Sequence, residues 1–153
     1  MAIYGVVTNG DAILRETARE VTKFDDRVQR LVGNMIETVI LEDGVGLAAP
    51  QIGISKRVII AFKEEKEGFM EVVNPVIIEE EGEQIGTEGC LSVPGKIGMV
   101  KRAQRIRVIG KTALGEDLDF VAVDMFARII QHEVDHLNGV LFIDRASDIE
   151  DIR

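Results

Sequence analysis

The chain has only two histidines, and they stand four residues apart in His132-Glu133-Val134-Asp135-His136. Residues at that spacing lie one turn apart on the same face of an α-helix, so both imidazoles can reach a single metal ion. The flanking pattern predicts the helix. Asp124 precedes a run in which Phe126, Ile129, Ile130, Val134 and Leu137 share one face, and Gly139 is a natural stop signal. Two protein ligands are too few for a catalytic metal centre, which usually has three and one open position. A long zinc-protease pattern would require a third histidine six residues after His136, where Phe142 stands, and the only glutamate downstream is Glu150. The third ligand is therefore expected from upstream, and the fold has to carry an earlier segment onto this helix.

Cys90, the single cysteine, is the candidate. It lies in Thr87-Glu88-Gly89-Cys90-Leu91-Ser92-Val93-Pro94-Gly95, where glycines and proline shape the backbone tightly. A lone cysteine is ordinarily a small buried hydrophobe, but the need for one more soft ligand favours coordination. A Cys-His-His set with an open position suits iron(II), zinc, nickel or cobalt. Glu133 lies beside the metal position, where a carboxylate can take a proton from water. In Gly44-Val45-Gly46-Leu47-Ala48-Ala49-Pro50-Gln51 the glycines allow a close backbone approach. Gln51 offers a neutral amide donor suited to a developing oxyanion. The segment lacks the Lys-Ser/Thr ending of a phosphate-binding loop.

The rest of the chain reads as α+β. A helix from about Asp25 to Leu41 is expected from Val28, Leu31, Val32, Met35, Ile36, Val39 and Ile40 recurring at spacings of three and four, with Asp25 or Asp26 as cap. Arg57–Phe62, Met70–Val73, Val76–Ile78, Arg105–Ile109 and Leu118–Val123 are strand candidates, with a polar hairpin loop at Glu64–Gly68. Strands in the middle and helices at both ends suggest α+β and not a regular βαβ alternation. The 153 residues suit a single domain spanning 1–153. No apolar run approaches the roughly 20 residues that span a bilayer, and Met1-Ala2-Ile3-Tyr4-Gly5 lacks a basic secretory n-region, so a cytoplasmic location is expected. A net charge of −9, from 18 basic and 27 acidic residues without a dense basic cluster, argues against direct nucleic-acid binding.

Taken together, Gly44–Gln51, Glu88-Gly89-Cys90-Leu91-Ser92 and Gln131-His132-Glu133-Val134-Asp135-His136 resemble the three signatures of the peptide deformylase family, in the same order. Gly10–Arg15 and Val100–Ala103 resemble flanking family segments, so the likeness runs from about residue 8 to residue 145. The resemblance implies mixed or antiparallel strands packed around a central C-terminal helix that carries the metal motif, with a long N-terminal helix. It implies that Cys90, His132 and His136 hold one divalent metal per chain, commonly iron(II) with water as fourth ligand; zinc, nickel or cobalt are alternatives. Glu133 would accept the water's proton and pass it to the departing amine. Gln51 and the Leu91 backbone N–H would hold the oxyanion, and Gly46 would border the site. The implied substrates are nascent chains beginning with formyl-methionine, met near the ribosome by a monomer or weak oligomer. Ala12 departs from the family's usual proline, and the 17 residues after His136 are not expected to form the long C-terminal helix of many members.

Two other readings fit the metal motif. A zinc peptidase would cleave unformylated peptides, against which Phe142 and the use of Cys90 argue. A non-catalytic metal-stabilised module would close its site with four protein ligands, and only three are identifiable.

Overall fold

The computed structural model describes residues 5–152, so the reading of the first four residues lies outside the described residues. Helix α1 (Asp26–Leu41) forms where the apolar spacing predicts it, and the Asp25 carboxylate caps it by accepting from Arg27 N. Its buried face is Val28, Leu31, Val32, Met35 and Val39. Ile40 is the exception at 55% exposed, because consecutive helical residues point about 100° apart and Val39 already takes the inward position.

Five antiparallel strands make the larger sheet: β1 (Gly46–Ala48), β2 (Val58–Glu64), β3 (Gly68–Glu81), β6 (Arg105–Lys111) and β7 (Asp117–Val123), in that spatial order. A smaller sheet has the order β4 (Gln84–Cys90), β5 (Val93–Arg102), β8 (Ser147–Asp151). The two runs expected at 70–73 and 76–78 are one strand, β3, with an irregularity in its pairing between Val73 and Val76. Asn74 is left-handed there (φ 53°) and Pro75 has no N–H to donate. The Asn74 side chain clamps the backbone of Val21, accepting from its N at 2.8 Å and donating to its O at 2.9 Å. The interruption thus ties the N-terminal segment to the sheet. Strands β4, β5 and β8 were not among the expected strands. They are rich in glycine and charge, and β8 is exposed throughout, so no period-two apolar signal marks them.

Helix α2 (Asp124–Leu137) carries the metal motif and lies in the middle of the molecule. Ala127, Ile130 and Leu137 pack with Ile59, Ala61, Val72, Ile106 and Val108 of the larger sheet. Its other side meets the smaller sheet through polar groups, and Arg128, Gln131, His132, Glu133, Asp135 and His136 are all buried. Buried charges are costly unless paired, so this face has to be satisfied by partners. A short helix α3 (Phe142–Arg145) follows, with Phe142 buried in a third apolar cluster beside Leu14, Val93 and Val100. Among the described residues, no helix is long and apolar enough to cross a membrane.

Gly139 ends α2 in the left-handed region (φ 74°), and a Cβ there would lie 2.6 Å from the Arg15 carbonyl oxygen. Gly139→Ala therefore combines backbone strain with a clash against main chain. We expect a loss of about 1–3 kcal/mol, read as a lowered urea midpoint with an unchanged m-value.

Candidate metal centre

The centre is built where one strand meets one helix. In a strand, residues two apart face the same way, roughly 6.8 Å apart; in a helix, residues four apart lie roughly 6 Å apart on one face. Glu88 and Cys90 on β4 therefore match His132 and His136 on α2 pair by pair. Glu88 Oε1 lies 2.8 Å from His132 Nδ1, and Cys90 Sγ lies 3.3 Å from His136 Nε2. The Cys90 Sγ and the two histidines each offer one ligand atom, and these three atoms lie within 4.8 Å of one another. Donors around a tetrahedral zinc-sized ion sit roughly 3.3–3.6 Å apart, so this trio fits such an ion with little movement.

Electrostatics favour a cation at the same place. Burial works against a charge on His132, but Glu133, Cys90 and Glu88 outweigh it and push the imidazole up to about 10. A histidine this eager for a proton marks a position of negative potential that a divalent cation would fill. His136 is held well below its ordinary value by burial and then by His132, which keeps its ring neutral and able to coordinate.

Behind His132 runs a buried ion network. Arg102 grips Glu88 with Nε and Nη2 at 2.9 and 2.8 Å, and its Nη1 reaches Asp135 at 2.7 Å. Arg128 Nη1 adds a 2.5 Å contact to Glu88, and Arg145 pairs with Asp135 through two hydrogen bonds. Burial alone would raise the Glu88 carboxyl. The hydrogen bonds from Arg102 and His132 overcome it and hold the group ionised far below the usual range. An anionic Glu88 accepting from His132 Nδ1 leaves Nε2 free to bind a metal, the usual arrangement behind a ligating histidine.

A cavity of about 630 Å³ opens in front of this centre, lined by Gly46, Gln51, Cys90, Leu91, His132 and Glu133 among others. His136 lies behind it at 1% exposed. Glu133 Oε1 is buried without a hydrogen-bond partner, and burial raises its carboxyl to about 7. Gly46 on β1 passes so close that a Cβ there would be 2.6 Å from Glu133 Oε2. Gln51 sits in a 3-10 turn (Ala49–Ile52) in a fixed orientation. Its Oε1 accepts from Ala48 N at 2.9 Å, which directs Nε2 to Ser92 Oγ at 3.1 Å and Cys90 Sγ at 3.5 Å.

All seven residues singled out from sequence thus converge on one place. Glu88, Arg102 and Asp135 were not expected at the site from sequence, although they lie within Thr87–Gly95, Val100–Ala103 and the histidine motif. A carboxylate two residues before the candidate ligand Cys90 was the available signal for Glu88. Nothing in the local pattern marked Arg128.

The chain matches the family model described as polypeptide deformylase over residues 3–151. It is 49% identical over 146 residues to the peptide deformylase of Syntrophomonas wolfei, covering 95% of both chains. The crystal structure of peptide deformylase from Thermotoga maritima superposes with a TM-score of 0.92 at 42% identity, covering 96% of this chain and 99% of that one. A Met-Ala-Ser-bound class I type b peptide deformylase from Acinetobacter baumannii matches with a TM-score of 0.88 at 38% identity, covering 94% and 98%.

Glu88→Gln keeps the shape but removes the charge that faces His132 and both arginines. Metal affinity should fall about 10- to 100-fold, measured by competition with a chromogenic chelator. An unchanged affinity would remove Glu88 from the support of the centre.

Proposed function

The chain belongs to the polypeptide deformylase family, and from that premise we propose how its own residues remove the N-formyl group from newly made polypeptides. The observation that carries the reading is the buried, unpartnered Glu133 Oε1 beside the Cys90–His132–His136 trio. A divalent cation held by those three residues would supply Lewis acidity to the formyl oxygen and to an attacking water. Iron(II) is our choice of native metal, because a thiolate with two imidazoles suits it; zinc, nickel and cobalt suit the same donors.

Glu133 takes the proton as water adds to the formyl carbon. A carboxyl raised to about 7 by burial is poised to accept that proton and to return it to the departing amine near neutral pH. Gln51 Nε2 and the Leu91 backbone N–H donate to the oxyanion that develops on the formyl oxygen. The Gln51 side chain is already aimed, because Ala48 N occupies its Oε1. Gly46 lets the β1 backbone approach closely enough for a peptide to lie beside Glu133. The cavity walls of Val45, Met125 and Ile129 offer an apolar seat for a methionine side chain. The Met-Ala-Ser peptide in the Acinetobacter protein has the form of the deformylated product, and we take formyl-methionyl peptides as substrate here. We place the enzyme in the cytoplasm as one catalytic domain, a monomer or weak oligomer working near the ribosome where such chains emerge.

The test is formate release from formyl-Met-Ala-Ser by anaerobically prepared iron- or nickel-loaded protein, with Met-Ala-Ser and the Glu133→Ala variant as controls. Glu133→Ala should bind metal stoichiometrically and lose about 10²–10⁴ in kcat; wild-type turnover in that variant would remove Glu133 as the base. Gly46→Ala should displace the Glu133 carboxylate and lower kcat while metal content stays unchanged. Cleavage of internal bonds in unformylated peptides would instead favour a peptidase.

A further inference from the structure

The fold gathers a basic cavity that the linear sequence does not display. Lys23, Arg27, Arg30 and Lys56 line a hollow of about 420 Å³ between the segment leading into α1, the first turns of that helix and the stretch before β2. Among the described residues, Asp25 is the only carboxylate in its wall, and it caps the helix.

The pairing pattern makes this cluster distinctive. Ten basic side chains elsewhere form ion pairs with carboxylates: Arg15, Lys63, Lys96, Lys101, Arg102, Arg105, Arg107, Lys111, Arg128 and Arg145. Among the described residues, none of the four cations around the hollow makes an ion pair or a side-chain hydrogen bond. The chain has 27 acidic residues, so carboxylates are not in short supply. Four cations without ion-pair partners outnumber the one carboxylate in this wall, repel one another and leave a net positive potential in the concavity.

The floor is apolar, made by Val28, Leu31 and Ile54. Ligand sites have this form, a concave apolar seat of a few hundred cubic ångströms with a few convergent polar groups. Arg27 and Arg30 lie three apart on one helix face, where two guanidinium forks can engage a polyvalent oxyanion together. Helix α1 is roughly 24 Å long; the hollow lies at its first turns, whereas Gly44 and the cavity before the metal centre lie past its other end. Among the described residues, the two cavities share no lining residue.

We propose that this hollow is a second ligand site that binds a small organic polyphosphate, such as a nucleoside di- or triphosphate, with phosphates on the four cations and the body on the apolar floor. A long RNA strand fits less well. Among the described residues, the wall contains no aromatic side chain on which bases could stack. A net charge of −9 also opposes an extended polyanion beyond the patch, whereas a small anion is held within the roughly 8 Å over which the local cations dominate at physiological salt.

The test is fluorescence anisotropy of an N-methylanthraniloyl-labelled ATP titrated with nickel-loaded holoenzyme, wild type against Arg30→Glu. Lys66→Glu serves as control, since it changes the charge equally in the β2–β3 hairpin, away from the hollow. Glutamate is tolerated in the first half of a helix, and circular dichroism with formate release from formyl-Met-Ala-Ser would verify that Arg30→Glu is folded and active. Saturable binding weakened at least about tenfold by Arg30→Glu, and by less than about twofold by Lys66→Glu, is the expected result. Absence of saturable binding would overturn the proposal, as would insensitivity to Arg30→Glu, which would put the nucleotide elsewhere, or equal weakening by Lys66→Glu, which would reduce the effect to net charge. Tighter binding of a ten-nucleotide single-stranded RNA than of the labelled ATP would also overturn it in favour of strand docking, and full displacement by polyglutamate at equal charge would do so in favour of an acidic peptide.

Discussion

The pairing of Glu88 with Arg102 is the constraint from which the rest of this structure follows. Both side chains are about 95% buried, and the arginine continues to Asp135 on the central helix. Two charges withdrawn from water this far are tolerable only when each is fully matched, since removing either partner leaves an uncompensated buried charge. The match exists only if β4, β5 and α2 hold one relative position. The ion pair therefore acts as a register pin between the smaller sheet and the helix, where apolar packing alone would allow sliding.

That pin has a chemical consequence because of where it sits. Glu88 is two residues before Cys90 on the same strand, so the group that orients His132 also sets the height of the thiol opposite His136. The network thus helps to set the geometry of the trio. The same preorganisation holds on the cavity side. Gln51 is locked by a main-chain donor and Glu133 is walled in by a strand that only glycine allows so near. Burial is also what raises the Glu133 carboxyl to about 7.

Much of this was legible in the chain. The α1 stripe, its Asp25 cap and the Gly139 stop appeared where periodicity and capping rules put them, because those signals are local and arise from backbone geometry. The need for an upstream third ligand followed from counting histidines, and Cys90 lies with His132 and His136 in one group that could hold a metal ion. Strands β4 and β5 were not legible, because their residues answer to ion pairing and tight turns and not to an apolar face. The missed role of Glu88 has the same origin: a carboxylate looks alike in sequence whether it is solvated or buried against two arginines.

What the sequence by itself determined is the inventory and its local spacing. It supplies two imidazoles one helical turn apart, a carboxylate between them, one thiol in a stretch shaped by glycine and proline, and a neutral amide after a glycine-rich run. Those facts point to a metal site with a carboxylate beside it, since coordination and proton transfer depend on which groups are present at which short-range spacing. Tertiary structure alone decided which charges meet. Arg102 is 33 residues from Asp135, and Lys56 joins Lys23, Arg27 and Arg30 from a separate stretch of chain. Pairing energies fall off within ångströms while chain separation is blind to them, so the buried network, the raised carboxyl and the basic hollow exist only once the chain has folded.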